Sequence, residues 1–234
     1  MALDTKTFKT RTLTAVIFVI VMLTGLLWNE WSFIILFTII HFGCWYEFVK
    51  LIKKINPKKY VYYIPLGLLY ITLPVLMIID LRATGNIYKG NYVFIEFGKI
   101  LPCAIIFSIW INDTMAYIVG SFIGKTQLSK ISPKKTWEGT IGGALLCIVT
   151  ISLLGSFYTM YSKVDWMAIA FLCAFFGTMG DLLESKLKRM ANVKDSGTLM
   201  PGHGGFLDRF DSLLIAIPFV WVYCQFFIFA HKLT

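Results

Sequence analysis

Seven apolar stretches, each close to the length a helix needs to cross a lipid hydrocarbon core, follow one another along this 234-residue chain with only short charged segments between them. They lie at roughly 12–28, 32–51, 61–79, 100–122, 139–159, 164–183 and 211–231. In lipid such segments must satisfy their own backbone hydrogen bonds, which requires helices, and they lack the alternating pattern of a membrane-barrel strand. The expected fold is an all-α, polytopic integral membrane helix bundle of about seven transmembrane helices. No polar stretch is long enough to build a soluble domain, so residues 1–234 read as a single membrane-embedded domain, with 1–100 free of motifs and 101–234 carrying them. Composition agrees: 57% of the residues are hydrophobic and mean hydropathy is +0.71, against about 45–50% apolar in soluble domains. The first apolar run follows Lys6, Lys9 and Arg11 as a signal peptide would. It has no small-residue cleavage site and a second span begins almost at once, so it is read as a retained first span.

The net charge of +9 would suit nucleic acid, but the bases sit in short connections, where the positive-inside bias explains them, and no nucleic-acid partner is expected. Most of the 22 Lys and Arg fall in the N-terminal segment and the 50–60, 123–137 and 184–210 loops, which share one side if each span crosses once. That side is the cytoplasm, placing the N-terminus inside and the C-terminus outside; Arg82, Lys89, Lys99, Lys163 and Lys232 belong to the other face, with an 80–99 loop. The 7 Trp lie mostly near span ends, as interfacial anchors do. The 5 Cys occur singly in apolar segments and read as small hydrophobes.

Two cytoplasmic segments carry more than anchoring charge. The first, Asn112 to Gly139, reads N-D-T-M-A-Y-I-V-G-S-F-I-G-K-T-Q-L-S-K-I-S-P-K-K-T-W-E-G. Asp113 falls inside a span, where an ionisable side chain costs at least about 2.5 kcal/mol and marks a functional candidate; the alternative is a helix-packing Asp. Its face also carries Tyr117. Ser132, Lys134 and Lys135 in S-P-K-K-T-W-E-G stand just before a helix, an arrangement that can hold phosphate oxygens by cation and helix N-terminus together. Taken alone, the lysine pair is equally a topology signal.

The second segment, Gly180 to Asp211, reads G-D-L-L-E-S-K-L-K-R-M-A-N-V-K-D-S-G-T-L-M-P-G-H-G-G-F-L-D-R-F-D. If the sixth span continues through Arg189, then Asp181, Glu184, Ser185 and Lys188 share one helix face. Two acids beside a base suit a divalent cation such as Mg²⁺, or else form a solvated, salt-bridged helix end. Lys194 and Asp195 precede a loop in which Gly202, Gly204 and Gly205 let backbone N–H groups approach an anion. His203 lies between the glycines as a phosphate donor; as a zinc ligand it lacks companions, the other histidines being His41 and His231. Asp208 and Asp211 follow one turn apart and either complete a metal site with Asp181 or complement the dipole of the last helix.

The run S-K-L-K-R-x4-K-D-S-G-x3-P-G-H-G-G-F-L-D-R-F-D, Ser185 to Asp211, resembles the signature of the phosphatidate cytidylyltransferases, also called CDP-diacylglycerol synthases. G-D-L-x-E-S, D-T-x-A-Y with a later G-K, and S-P-K-K-T-W-E-G resemble that family's other motifs in the same order, so the likeness covers 112–211, about half the chain. One position departs: Met200 stands where Leu, Ile or Phe is usual. The resemblance implies transfer of a cytidylyl group from CTP to phosphatidic acid, giving CDP-diacylglycerol and diphosphate. It implies Mg²⁺, with K⁺ as the candidate second cation, and a homodimer in the inner (cytoplasmic) membrane with its active site facing the cytoplasm. Asp181 and Asp208 are the implied cation ligands, with Asp211 and Glu184 in support. Lys188, Arg189, Lys194 and Arg209 would hold the triphosphate, and Lys134 and Lys135 that or the lipid phosphate. His203, Gly204 and Gly205 would contact phosphate oxygens, and Asp113 would orient lysines or line the cavity. Two rival readings remain: a cytidylyltransferase or kinase acting on an isoprenoid lipid, and a small ion or solute transporter. The transporter would need polar groups at mid-membrane in several spans.

Overall fold

The computed structural model describes residues 5–87, 97–158, 160–198 and 204–230. Its helices are α1 (Thr5–Leu27), α2 (Glu30–Ile55), α3 (Tyr60–Tyr63), α4 (Leu73–Ile87), α5 (Phe97–Ile123), α6 (Trp137–Gly155), α7 (Lys163–Met190) and α8 (Leu207–Tyr223). Wider π-helical turns at Leu68–Thr72 and Cys224–Phe229 lead into α4 and extend α8. Among the described residues, six segments are long and apolar enough to cross a membrane: Glu30–Ile55, Tyr60–Thr84, Gly98–Ile123, Trp137–Gly155, Lys163–Met190 and Leu207–Phe229. They correspond to the second through seventh expected spans, while Thr12–Leu27 is a shorter apolar helix. The chain is thus a nearly all-helical, multi-pass membrane protein.

The helices bury one face and leave another apolar and open. On α2, Phe33, Phe37, Ile40, Cys44 and Phe48 are buried at helical spacing, whereas Ile35, Ile39 and Phe42 are more than half exposed. On α6, Leu145, Val149 and Leu153 form a similar open stripe. A soluble protein rarely leaves such faces uncovered; in a bilayer they meet lipid.

Contacts divide the chain into two compact units, Met1–Ile79 with Lys186–Phe210 and Asp80–Ser185 with Asp211–Thr234. In the first, α1 and α2 form a tight hairpin. Asn29 caps α2 by accepting from the Ser32 N–H at 2.7 Å, and the Asn29 N–H donates to Ser32 Oγ at 3.0 Å. Gly25 lets α1 approach, since a Cβ there would sit 2.6 Å from Leu36 Cδ2.

In the second unit α5 and α6 touch backbone to backbone. Ala116 and Gly120 on α5 face Gly139 and Gly143 on α6, and a Cβ on Gly143 would lie 2.7 Å from the Ala116 N. Four-residue spacing of small residues is how helices pack closely where lipid removes the hydrophobic drive.

Two features differ from the sequence expectation. Helix α4 runs to Ile87, so Arg82, expected in a loop, is buried within a helix. The S-P-K-K-T segment is a strand: β1 (Gln127–Ser129) pairs antiparallel with β2 (Ser132–Thr136), with Ser129 opposite Ser132. In a two-stranded ribbon Pro133 needs no ladder partner for its missing N–H, so proline is tolerated there.

Candidate functional site

Helix α7 continues through Arg189 as the spacing of its charges requires, which places Asp181, Glu184, Ser185 and Lys188 on one helix. At about 1.5 Å per residue its 28 residues outrun a hydrocarbon core of about 30 Å, and the surplus is the charged end. The helix stops where Asn192 adopts φ 52°. There the Val193 N–H bonds Lys188 O at 2.9 Å and the Asn192 N–H bonds Arg189 O at 3.1 Å, the paired bonds of a left-handed helix end.

Within the first unit Ser196 and Gly205 both bond Asp208, in the first turn of α8. One oxygen, Oδ2, accepts from the Ser196 N–H and the Gly205 N–H, each at 2.8 Å, and lies 2.9 Å from the Ser196 hydroxyl oxygen. The other, Oδ1, pairs with Lys188 Nζ at 2.6 Å, the two side chains being only 15% and 7% exposed. Gly204 has φ +83°, and a Cβ on it would sit 2.5 Å from Asp208 Oδ2, so glycine is required on both counts. The anion that the Gly205 N–H meets is therefore the chain's own carboxylate. Arg189, Lys194 and Arg209 are exposed. His203, with Gly202, lies outside the described residues.

In the second unit Lys135, at the end of β2, forms an ion pair with Asp181, both side chains about a quarter exposed. The Ser185 hydroxyl donates to Asp181 Oδ1 at 3.3 Å. The start of α6 is already capped: the Gly139 N–H donates to Thr136 Oγ1 at 3.1 Å. Glu138 accepts from the backbone of Lys125 at 3.2 Å and Thr126 at 3.1 Å, tying the hairpin to the helix. Lys134 is exposed on the hairpin and Ser132 half-buried. Asp113 is exposed on α5, accepts from Asn112 Nδ2 at 3.4 Å, and shares its open face with Tyr117, 77% exposed. Glu184 and Asp211 are buried, Asp211 accepting from the Ser212 N–H at 2.6 Å.

Residues 90–227, well over half the chain, match the model of the cytidylyltransferase family. The chain belongs to that family. Similar proteins include the phosphatidate cytidylyltransferase of Synechocystis sp., 45% identical over 120 residues, which are 49% of this chain and 40% of that protein. The Staphylococcus haemolyticus phosphatidate cytidylyltransferase is 44% identical over 113 residues, 47% of this chain and 43% of that protein. The chloroplastic phosphatidate cytidylyltransferase 4 of Arabidopsis thaliana is 52% identical over 105 residues, 44% of this chain and 27% of that protein. The chain thus matches less than half the length of these relatives.

In this family member the carboxylates fit a hard cation unequally. Asp181 is part-exposed and its counter-charge is the flexible Lys135 ammonium, so an oxygen-seeking cation would replace that ammonium without unburying a charge. Asp208 commits Oδ2 to the Ser196 and Gly205 N–H groups, so Oδ1, paired with Lys188, is the oxygen at which a cation would have to compete. Among the described residues no three His, Cys, Asp or Glu side chains form a ready metal cluster.

Sequence reasoning missed Glu47. It is 3% exposed on α2 and accepts from the Ser196 hydroxyl at 2.6 Å, the Phe206 N–H at 3.0 Å and the Leu207 N–H at 2.9 Å. The available signal was an acid three residues before the Lys50 to Lys54 cluster, inside an otherwise apolar span.

Proposed function

We propose that the chain transfers a cytidylyl group from CTP to phosphatidic acid, giving CDP-diacylglycerol and diphosphate, as the names of its relatives suggest. The observation that carries the reading is the pairing of motif acids with motif lysines, Asp181 with Lys135 and Asp208 with Lys188. Each lysine is held in place and charge-balanced until an anionic substrate takes it over, which is how a lysine serves as a phosphate binder without being lost to solvent.

A lipid phosphate monoester has a second pKa of about 6, so at neutral pH the attacking oxygen is already ionised and no strong general base is needed. That oxygen attacks the phosphorus of CTP bonded to the ribose, and the bond to the departing diphosphate breaks. Positioning and charge neutralisation carry the rate, as in phosphoryl transfer generally. Lys188, Arg189, Lys194 and Arg209 hold the triphosphate, and Lys134 and Lys135 the remaining phosphate charge. Asp181 and Asp208 are the residues that would hold magnesium, which would supply further neutralisation of phosphate charge. The positive-inside bias of the basic loops supports a site on the cytoplasmic side of the inner membrane, where acyl chains would stay in lipid while CTP enters from water.

The test is product formation by purified protein in lipid nanodiscs given CTP, Mg²⁺ and, in separate arms, phosphatidic acid, an isoprenoid phosphate or an isoprenoid alcohol. Mass spectrometry should find CDP-diacylglycerol and diphosphate only in the first arm. Product from an isoprenoid arm alone would replace the lipid assignment, and none in any arm would remove the reaction.

A further inference from the structure

We infer that Glu47, ahead of every motif and outside the family-matched residues, is a positioning residue for this reaction: it fixes Ser196, Phe206 and Leu207 and, through Ser196, the Asp208 carboxylate that holds Lys188. The inference rests on the cytidylyl-transfer reading above.

A carboxylate within the Glu30–Ile55 span is costly unless donors surround it. Among the described residues Glu47 has three, from Ser196, Phe206 and Leu207, 149 to 160 residues away in sequence. Two of them, the Phe206 and Leu207 N–H groups, open α8, so Glu47 is the anion at the N-terminal end of that helix. The third is the Ser196 hydroxyl, whose one proton goes to Glu47 Oε2 at 2.6 Å while the Ser196 N–H donates to Asp208 Oδ2 at 2.8 Å, so that Ser196 joins the two carboxylates.

The surroundings are shaped to this contact. A Cβ on Gly197 or on Gly205 would overlap the Glu47 carboxylate. One turn earlier on α2, Gly43 leaves the space that the Phe206 ring fills, and a Cβ there would strike it. The face of α2 at Gly43 and Glu47 is thus a notch and an anion matched to one loop. An apolar residue would pack a helix at this position more cheaply; a carboxylate is explained by the donors it orders.

Glutamine separates ordering from shape. Donors reach Glu47 on both oxygens, Phe206 at Oε1 and Ser196 with Leu207 at Oε2. Whichever way the amide of Glu47→Gln turns, its NH₂ faces an N–H donor on one side.

The experiment uses the full chain in nanodiscs, with amide hydrogen exchange and CTP kinetics measured per folded protein for Glu47→Gln and Glu47→Asp. Exchange at Phe206 and Leu207 should quicken at least tenfold in Glu47→Gln while α5 and α6 amides stay as in wild type. Its kcat should fall about 10- to 100-fold, the range for partners that orient active groups, and Glu47→Asp should recover part of it. Unchanged exchange, or quickened exchange with wild-type kcat and KM, overturns the inference. If Glu47→Gln does not fold, Ser196→Ala decides: it keeps both amide donors to Glu47, so Phe206 and Leu207 protection should persist while kcat drops, and a wild-type kcat overturns the inference. A wild-type chain that makes no product while Glu47→Gln loosens residues 206 and 207 would sink the reaction and leave the clamp standing, so the two failures are distinguishable.

Discussion

Replacing Asp208 by Asn keeps the shape of the side chain and removes its charge. The amide oxygen can still accept from the Ser196 and Gly205 N–H groups, but its NH₂ then faces the Lys188 ammonium, which sits 2.6 Å from Oδ1 in the native pair. Removing one partner of a fully buried ion pair costs about 3–5 kcal/mol, and an exposed pair contributes about 0–1. With the two side chains 15% and 7% exposed, the cost lies nearer the buried limit, at about 2–4 kcal/mol. At about 1.4 kcal/mol per factor of ten, the clamped loop loses roughly 30- to 1,000-fold in population. CTP-dependent product formation from phosphatidic acid should fall by at least that factor, with helical content unchanged. The double variant Asp208→Asn with Lys188→Met removes the stranded ammonium and should regain most of the thermal stability but none of the activity. An Asp208→Asn protein with wild-type turnover and wild-type exchange at Ser196 and Gly205 would refute the reasoning.

Further consequences follow from the other contacts. Lys135→Met removes the ammonium that competes for Asp181, so half-saturation by Mg²⁺ should move to lower concentration while KM for CTP or lipid rises; Asp181→Asn should raise the Mg²⁺ requirement at least tenfold, and Mg²⁺ titration of activity reads both. Gly143→Ala forces a methyl to 2.7 Å from the Ala116 backbone and should cost about 1–3 kcal/mol in thermal unfolding, without changing the Mg²⁺ requirement.

Much of the fold was legible because lipid is a strict solvent: a run of about twenty apolar residues has one stable conformation there, and the charged interruptions mark its ends. The span from 164 to 183 was read correctly in kind, and so was its charged continuation to Arg189, since Asp181, Glu184, Ser185 and Lys188 share a helical period. The hairpin at 127–136 was not legible, because two strands of three and five residues carry too few side chains to display a period of two. Arg82 was misplaced because a charge near a span end reads as an exit from the membrane, whereas α4 runs on to Ile87.

In the site, the residue types were legible and their partners were not. The motif spelled out acids, lysines and glycines, yet nothing in the order of letters pairs Lys135 with Asp181, or assigns the Gly205 N–H to Asp208. Residue patterning set the membrane-spanning helices, the charged loops and the family, because hydrophobicity and helical period act over neighbours in sequence. Which carboxylate each donor meets depends on contacts between segments as far apart as Glu47 and Leu207, and hydrogen bonds, unlike burial, are fixed by ångström-scale geometry that only the folded chain supplies.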